Sequence, residues 1–171
     1  MLFMNKILVS ACFLGERVRY NAEIKTFSHP LLKRWQKEGR LVMLCPEVAG
    51  GLPTPRPPAE IQQSAIQSDS IQQSNSQGNV NAGEVITING CNVTQAFVSG
   101  AKHALEVCQH QQIQFALLKE SSPSCGSAQI YDGTFSGKKM AGQGITTKLL
   151  QQYGIQVFSE KTIEALAVLI D

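Results

Sequence analysis

Short apolar runs alternate along the chain with longer stretches in which apolar residues recur every three or four positions. The apolar runs are typical of strands and fall at residues 6–11, 40–44, 84–88, 115–119 and 155–158, and residues 130–135 predict a short strand and turn. The longer stretches predict helices that begin near Ser28, Thr94, Gly142 and Lys161. This alternation predicts one α/β domain over residues 1–171, with a mainly parallel twisted sheet and helices on both faces, a Rossmann-like arrangement.

Capping and turn residues mark the ends of the predicted helices. Ser28 is a suitable N-cap for the first helix, Pro30 lies in its first turn, and Gly39 ends it. Thr94 can cap the second helix. The apolar face of that helix has residues four positions apart, namely Phe97, Ala101, Leu105 and, one turn later, Cys108.

The most irregular stretch, residues 45–58, directly follows the second predicted strand. It contains five prolines and a glycine pair, so we expect no helix or central strand in it. A rigid loop would present Cys45, Glu47 and Arg56 at the carboxyl end of the strand. Three reactive groups on one stiff loop favour a functional site over a plain surface turn. We expect Arg56 to hold Glu60 or a backbone carbonyl rather than substrate.

Residues 61–83 are rich in Gln, Ser and Asn. This composition predicts a mobile insertion within the domain or an edge element.

The overall composition argues against a nucleic-acid partner and against a membrane-spanning segment. The chain has 171 residues, 43% of them apolar, and a net charge of +2 without a Lys/Arg stripe, so a nucleic-acid partner is not expected. No apolar run approaches the ~18 residues that span a membrane. The sequence leaves the oligomeric state open.

The first residues resemble a lipoprotein cleavage box at 9–12. Only two residues separate Lys6 from this box, whereas an export signal needs an apolar core of ~7–15 residues. We therefore expect a first strand and a cytoplasmic protein. Five cysteines in such a protein indicate a reducing compartment and free thiols.

Three of the cysteines follow predicted strands. Cys12, Cys45 and Cys125 each come just after one. Because the carboxyl ends of parallel strands share one edge of a sheet, these thiols can meet in space. Cys108 lies on the apolar face of a predicted helix and is expected in the core. Cys91 follows a turn and is expected away from this edge.

Three converging thiols are suited to soft metals. Thiolates select iron–sulfur clusters, Zn(II) or Cu(I). The histidines, His29, His103 and His110, lie on or just past predicted helices and are not placed as further ligands. A cubane cluster held by three thiolates leaves one iron open, to act as a Lewis acid or to capture sulfur. Three separate buried cysteines are the alternative.

Four motifs occur in order along the chain. They are Cys12-Phe13-Leu14-Gly15 with Arg19-Tyr20-Asn21, Cys45-Pro46-Glu47 through Arg56-Pro57-Pro58-Ala59-Glu60, the run from Lys119 to Gly126, and Tyr131-Asp132-Gly133 through Gly142-Gln143-Gly144. Together they resemble the motifs of the bacterial thiouracil desulfurase family, and the similarity runs from about residue 6 to residue 160.

The resemblance implies a [4Fe–4S] cluster on Cys12, Cys45 and Cys125, with one open iron. It also implies removal of sulfur from thiolated uracils, the sulfide being captured at that iron, in a hydrolysis without net redox change. Glu47 would donate or accept a proton. Ser122 and Ser124 would hydrogen-bond the base or position water. The natural substrate can be a free base, a nucleoside or a modified RNA.

Two further features lie near these motifs. Lys119 ends a strand and can stabilise negative charge on the cluster or on sulfide. Gly142 and Gly144 form a turn that opens a helix, whose N-terminus favours anions; this turn can also face the base. Asp132 is expected to fix a turn.

Two other interpretations use the same residues. The cysteine pocket can belong to a module that binds a metal or a thionucleobase without turnover. Alternatively, the protein is an α/β protein whose cysteines are merely buried.

Overall fold

A computed structural model describes residues 4–63 and 83–171. The strands are β1 (Ile7–Ser10), β2 (Leu41–Leu44), β3 (Ala59–Gln62), β4 (Glu84–Thr87), β5 (Phe115–Leu118), β6 (Gln129–Tyr131), β7 (Lys139–Ala141) and β8 (Gln156–Ser159). The helices are α1 (Pro30–Lys37), α2 (Pro46–Ala49), α3 (Thr94–His110), α4 (Ile145–Gln152) and α5 (Ile163–Ile170), and a 3-10 helix covers Ala11–Leu14. No helix in the described ranges has the length and apolar character to cross a membrane.

The centre of the molecule is a four-stranded sheet in the order β2-β1-β5-β8. All three pairings are parallel, and Ile7 of β1 lies between Leu41 of β2 and Phe115 of β5. The predicted α/β class and mainly parallel sheet are therefore confirmed.

Side chains alternate between the two faces of the sheet along each strand. Both faces carry apolar residues, and helices pack on both. Ile7 and Val9 of β1 pack on one side, in a cluster that includes Trp35 of α1 and Leu166 of α5. Leu8 packs on the other side, in a cluster with residues of α3 and α4, among them Phe97, Ala104, Leu149 and Leu150. The predicted face of α3 is buried in this second cluster.

Two antiparallel pairs, β3–β4 and β6–β7, lie outside the central sheet. The strands predicted at 84–88 and 130–135 exist in shortened form, but they belong to these pairs rather than to the parallel sheet. β3 was not predicted, because its four residues follow directly on the proline-rich stretch. It takes up the first two residues of the predicted insertion at 61–83, and residues 64–82 lie outside the described part.

Two predicted helix caps are each wrong by one residue, since the N-caps are His29 for α1 and Val93 for α3. His29, not Ser28, caps α1, and its Nδ1 accepts a hydrogen bond from the Leu31 N–H at 3.3 Å. Thr94 is the first residue of α3, and its Oγ1 accepts from the Val85 N–H at 2.8 Å. Asn92 Oδ1 accepts from the Thr94 N–H instead.

Candidate active site

Three loops meet at the carboxyl edge of the central sheet. Cys12 lies in the 3-10 helix after β1, Cys45 directly follows β2, and Cys125 lies in the loop after β5. These three strands are neighbours, and all three cysteines line one cavity of about 650 Å³. The second wall of the cavity comes from the two antiparallel pairs and includes Glu60 and Phe135. The structure thus brings the three predicted thiols to one site.

Cys45 lies at the start of α2, a single helical turn. The prediction that residues 45–58 contain no helix is wrong here, because Pro46 occupies the first helical position, where a missing N–H is not needed. Two glycines, Gly50 and Gly100, allow α2 to pack directly against the backbone of α3. A Cβ on Gly100 would lie 1.8 Å from the Pro46 carbonyl oxygen, and one on Gly50 would lie 2.0 Å from that of Ala96.

Partial or full burial raises the pKa of each of the three thiols. Burial and then the nearby Cys45 raise the pKa of Cys12 to about 11. Burial raises the pKa of Cys45, although the Val48 N–H at the start of α2 acts in the opposite direction. Burial, Cys45 and Glu47 raise the pKa of Cys125. The metal-free thiols therefore hold their protons at neutral pH, and metal binding would release them.

The spacing of the site residues differs from that of a single-ion site. Within residues 4–63 and 83–171, no three His, Cys, Asp or Glu side chains are spaced to hold one metal ion. In a cubane cluster, by contrast, each thiolate binds a different iron. Three soft thiols around a shared cavity therefore fit a cluster better than a mononuclear metal.

Arg56 fixes the orientation of Glu47. Its Nε donates to Glu47 Oε2 at 2.9 Å, and Nη2 donates to the same oxygen. Nη2 also donates to the Val18 carbonyl at 2.8 Å, and Nη1 to that of Pro53 at 3.1 Å. The expected hold on backbone carbonyls is confirmed. The expected Glu60 partner is wrong, because the carboxylate on the same loop is the one within reach.

Ser122 links Glu47 to the Cys125 loop. Its hydroxyl donates to Glu47 Oε1 at 3.3 Å and accepts from the N–H groups of Ser124 and Cys125 at 3.1 and 3.2 Å. Ser122 lines the cavity. The Ser124 hydroxyl is fully buried 2.8 Å from Thr146 Oγ1, and Ser124 is not among the cavity residues. The geometry therefore separates two serines that the sequence did not rank.

Glu120 is a site residue that sequence reasoning missed. It is buried, and its carboxylate accepts hydrogen bonds from the loop that carries Cys125. Burial would raise its pKa, but hydrogen bonds from this loop lower the pKa to about 2. An acidic residue inside a Ser/Pro/Gly loop just after a strand was the available signal. The donors are the Ser127 hydroxyl at 2.7 Å and the N–H groups of Ser121, Ser127, Ala128 and Gln129.

Lys119 lines the cavity and forms an ion pair with Glu160. Its Nζ donates to Glu160 Oε1 at 2.6 Å, and Glu160 Oε2 accepts from the Glu120 N–H at 2.9 Å. Its charge is thus held beside the loop that leads to Cys125.

Gly142 and Gly144 pack closely against neighbouring segments of the chain. Neither is among the cavity residues. Gly144 is the N-cap of α4, as the predicted turn requires, and a Cβ there would lie 2.3 Å from the Ser124 carbonyl. This close contact holds the Cys125 loop against α4.

The remaining cysteines are partly as predicted. Cys108 is buried in the core, as expected. Cys91 is exposed and follows β4, outside the central sheet, but it lines the cavity, which the sequence did not predict. The turn after β4 brings it there, since the Cys91 N–H donates to Thr87 Oγ1 and its carbonyl accepts from the Thr87 N–H. Asp132 fixes its turn by accepting from Thr134.

Fold and site together define an α/β protein with a thiol-lined cavity at the edge of its parallel sheet. The family model for 2-thiouracil desulfurase matches residues 7–162, and the chain belongs to this family. This confirms the resemblance seen in the four motifs. The uncharacterized protein YbbK of Bacillus subtilis (strain 168) is 39% identical over 160 residues, or 92% of this chain and 97% of YbbK.

A solved structure shows the same fold. It is described as the [4Fe–4S]-dependent thiouracil desulfidase TudS and is 49% identical to this chain. The two superpose with a TM-score of 0.81 over 96% of each chain.

Proposed function

We propose that this protein is a [4Fe–4S]-dependent desulfurase that removes sulfur from thiolated uracils. One observation carries the proposal: three thiols from neighbouring strands share a cavity with the Glu47–Ser122 pair. Family membership supports it, and so does the similarity to TudS, whose description names both the cluster and thiouracil. A reducing, cytoplasmic location is part of the proposal, because all five cysteines are free thiols.

Cys12, Cys45 and Cys125 would hold the cluster. The donor set fits, because these are soft ligands on three rigid strand ends around one cavity. When bound, a cluster with three protein thiolates supplies a Lewis-acidic iron that can take sulfur from the substrate. Cys108 is not a proposed ligand, because it is buried in the core and does not line the cavity.

Glu47 is the proposed proton-transfer group. Arg56 and Ser122 hold its two carboxylate oxygens, so its direction is set before substrate binds. In the reaction, water oxygen bonds to the ring carbon and the carbon–sulfur bond breaks, yielding uracil and hydrogen sulfide with no redox change. Glu47 takes a proton from the water, and Ser122 orients the reacting groups. Lys119 stabilises the negative charge that develops on sulfur.

The test is anaerobic turnover. Protein reconstituted with iron and sulfide is incubated with 2-thiouracil and 4-thiouracil, and both uracil and sulfide are measured. We expect equal amounts of the two products, many times the amount of enzyme, and none from protein that has not been reconstituted. Binding of thiouracil without product would instead favour a binding module. Neither binding nor product would contradict the proposal.

A further inference from the structure

Glu60 is a buried carboxylate on the cavity wall that the antiparallel pairs form. It lies on β3, is 8% exposed and lines the cavity. Its Oε2 accepts from the Phe135 N–H at 3.0 Å. In the described part of the chain Glu60 has no salt-bridge partner, and no described donor contacts Oε1. Because Glu60 lines the cavity and its Oε2 is engaged by Phe135, Oε1 is the oxygen that a ligand in the cavity would contact.

The surroundings of Glu60 are held in place before any ligand arrives. Phe135 lies at the tip of the β6–β7 pair with φ of +55°, which is costly for a bulky residue and needs support from its neighbours. Glu60 supplies this support through the Phe135 N–H. Two residues along β3, Gln62 Nε2 donates to the Gly133 carbonyl at 2.6 Å. Phe135 and Tyr131 also line the cavity and offer apolar surface to a planar ring.

We propose that Glu60 is a specificity-determining residue that accepts a hydrogen bond from the substrate. An ionised carboxylate only accepts, so it favours ligands that present an N–H or O–H group there and disfavours anionic ones. The donor is a ring N–H of a thiolated pyrimidine or a sugar hydroxyl of its nucleoside. This inference rests on the proposed function, because substrate would occupy the same cavity.

The informative variant is Glu60→Gln. The amide oxygen can still accept from the Phe135 N–H, which turns the NH₂ group towards the cavity. A donor then stands where the proposal needs an acceptor. Glu84→Gln is the matched control, since Glu84 is exposed on the neighbouring strand β4 and loses the same charge. Melting temperatures of both variants report whether the fold is kept.

The substrate panel identifies the donor. It comprises 2-thiouracil, its N1-methyl and N3-methyl derivatives, and 2-thiouridine. For every ligand that carries the donor, we expect Glu60→Gln to lower kcat/KM about ten-fold or more, mainly through KM. The loss should vanish for the derivative in which that donor is methylated. If the donor is a sugar hydroxyl, the wild type prefers 2-thiouridine to N1-methyl-2-thiouracil, and the variant does not.

A second measurement is independent of turnover. Calorimetric titration of the cluster-loaded protein uses uracil, N1-methyluracil, N3-methyluracil and uridine. Glu60→Gln should raise the Kd of ligands that carry the donor and leave the Kd of ligands without it unchanged. A uniform effect of Glu60→Gln across all ligands, within two-fold, would overturn the inference, as would no effect at all. If the wild type releases no sulfide from any thiopyrimidine, the proposed function fails instead, and the titration still decides the role of Glu60.

Discussion

Glu47 has both of its carboxylate oxygens engaged. Arg56 donates twice to one oxygen, and the Ser122 hydroxyl donates to the other. The side chains of Arg56 and Glu47 are only 7% and 14% exposed, so water screens this ion pair weakly. Such a carboxylate is preorganised for proton transfer, and Ser122 extends it towards the Cys125 loop.

Replacing Glu47 by Gln should lower kcat by about 10²–10⁴-fold, because the amide cannot take the proton from water. Iron content and the visible spectrum should stay near those of the wild type, since Glu47 is not a proposed ligand. Glu106→Gln, on the exposed side of α3, is the control and should keep kcat. A Glu47→Gln enzyme with unchanged kcat would remove Glu47 from the mechanism.

Glu120 makes the Cys125 loop sensitive to acid. Its pKa is lowered from 4.5 to about 2 in the folded protein, so it favours the folded state above pH 4.5, and this contribution is lost as pH falls from 4.5 towards 2. Between pH 7 and pH 3 the loss should be about 2 kcal/mol.

The free energy of unfolding should therefore fall by about 2 kcal/mol less between pH 7 and pH 3 in Glu120→Gln than in the wild type. Denaturant titrations at several pH values measure it, with Glu84→Gln as the control that keeps the wild-type slope. Equal slopes for wild type and Glu120→Gln would show that the carboxylate has no such role.

Sequence reasoning reached part of this residue-scale picture. The three cysteines and Glu47 could be predicted to converge because each follows closely on an apolar strand. Ser122 and Ser124 could not be separated, because both flank Pro123 and only the folded loop turns one towards Glu47. Glu120 was missed because its role depends on the loop folding back to present several N–H groups to one side chain.

At the scale of elements, the contact between α2 and α3 sets the position of Cys45. Gly50 and Gly100 allow the two backbones to touch, and no side chain fits between them. The helix that follows Cys45 is only one turn long, so it takes its stability from this contact rather than from its own hydrogen bonds.

Gly100→Ala should displace α2. Alanine favours a helix by about 1 kcal/mol over glycine, but the added Cβ would meet the Pro46 carbonyl, and overpacking costs more. We expect a net loss of about 2 kcal/mol in unfolding free energy and reduced iron uptake. Ser99→Ala, at an exposed neighbouring position, should change neither. A Gly100→Ala protein as stable as the wild type would contradict this packing argument.

The elements differ in how well their sequence predicts them. The four central strands were predictable because each contains a short run of apolar residues bounded by polar or turn residues. The β3–β4 and β6–β7 pairs were not, since local alternation reveals a strand but not its partner. β3 pairs with β4 across more than twenty intervening residues, and its first residue follows a double proline.

At the scale of the whole molecule, the cavity joins two structures with different tasks. The parallel sheet gathers the thiols, Glu47 and Ser122 at its carboxyl edge, although they come from residues 12 to 125. The antiparallel pairs close the other side with Glu60 and aromatic residues. In this account the sheet edge performs the chemistry, and the added pairs select the substrate.

The most direct test of this account is the iron content of single-cysteine variants after anaerobic reconstitution. We expect about four irons per wild-type chain and loss of the bound cluster in Cys12→Ala, Cys45→Ala and Cys125→Ala. The core variant Cys108→Ala should keep the wild-type iron content. Full iron content in any of the three ligand variants, or an equal loss in Cys108→Ala, would contradict the proposed cluster site.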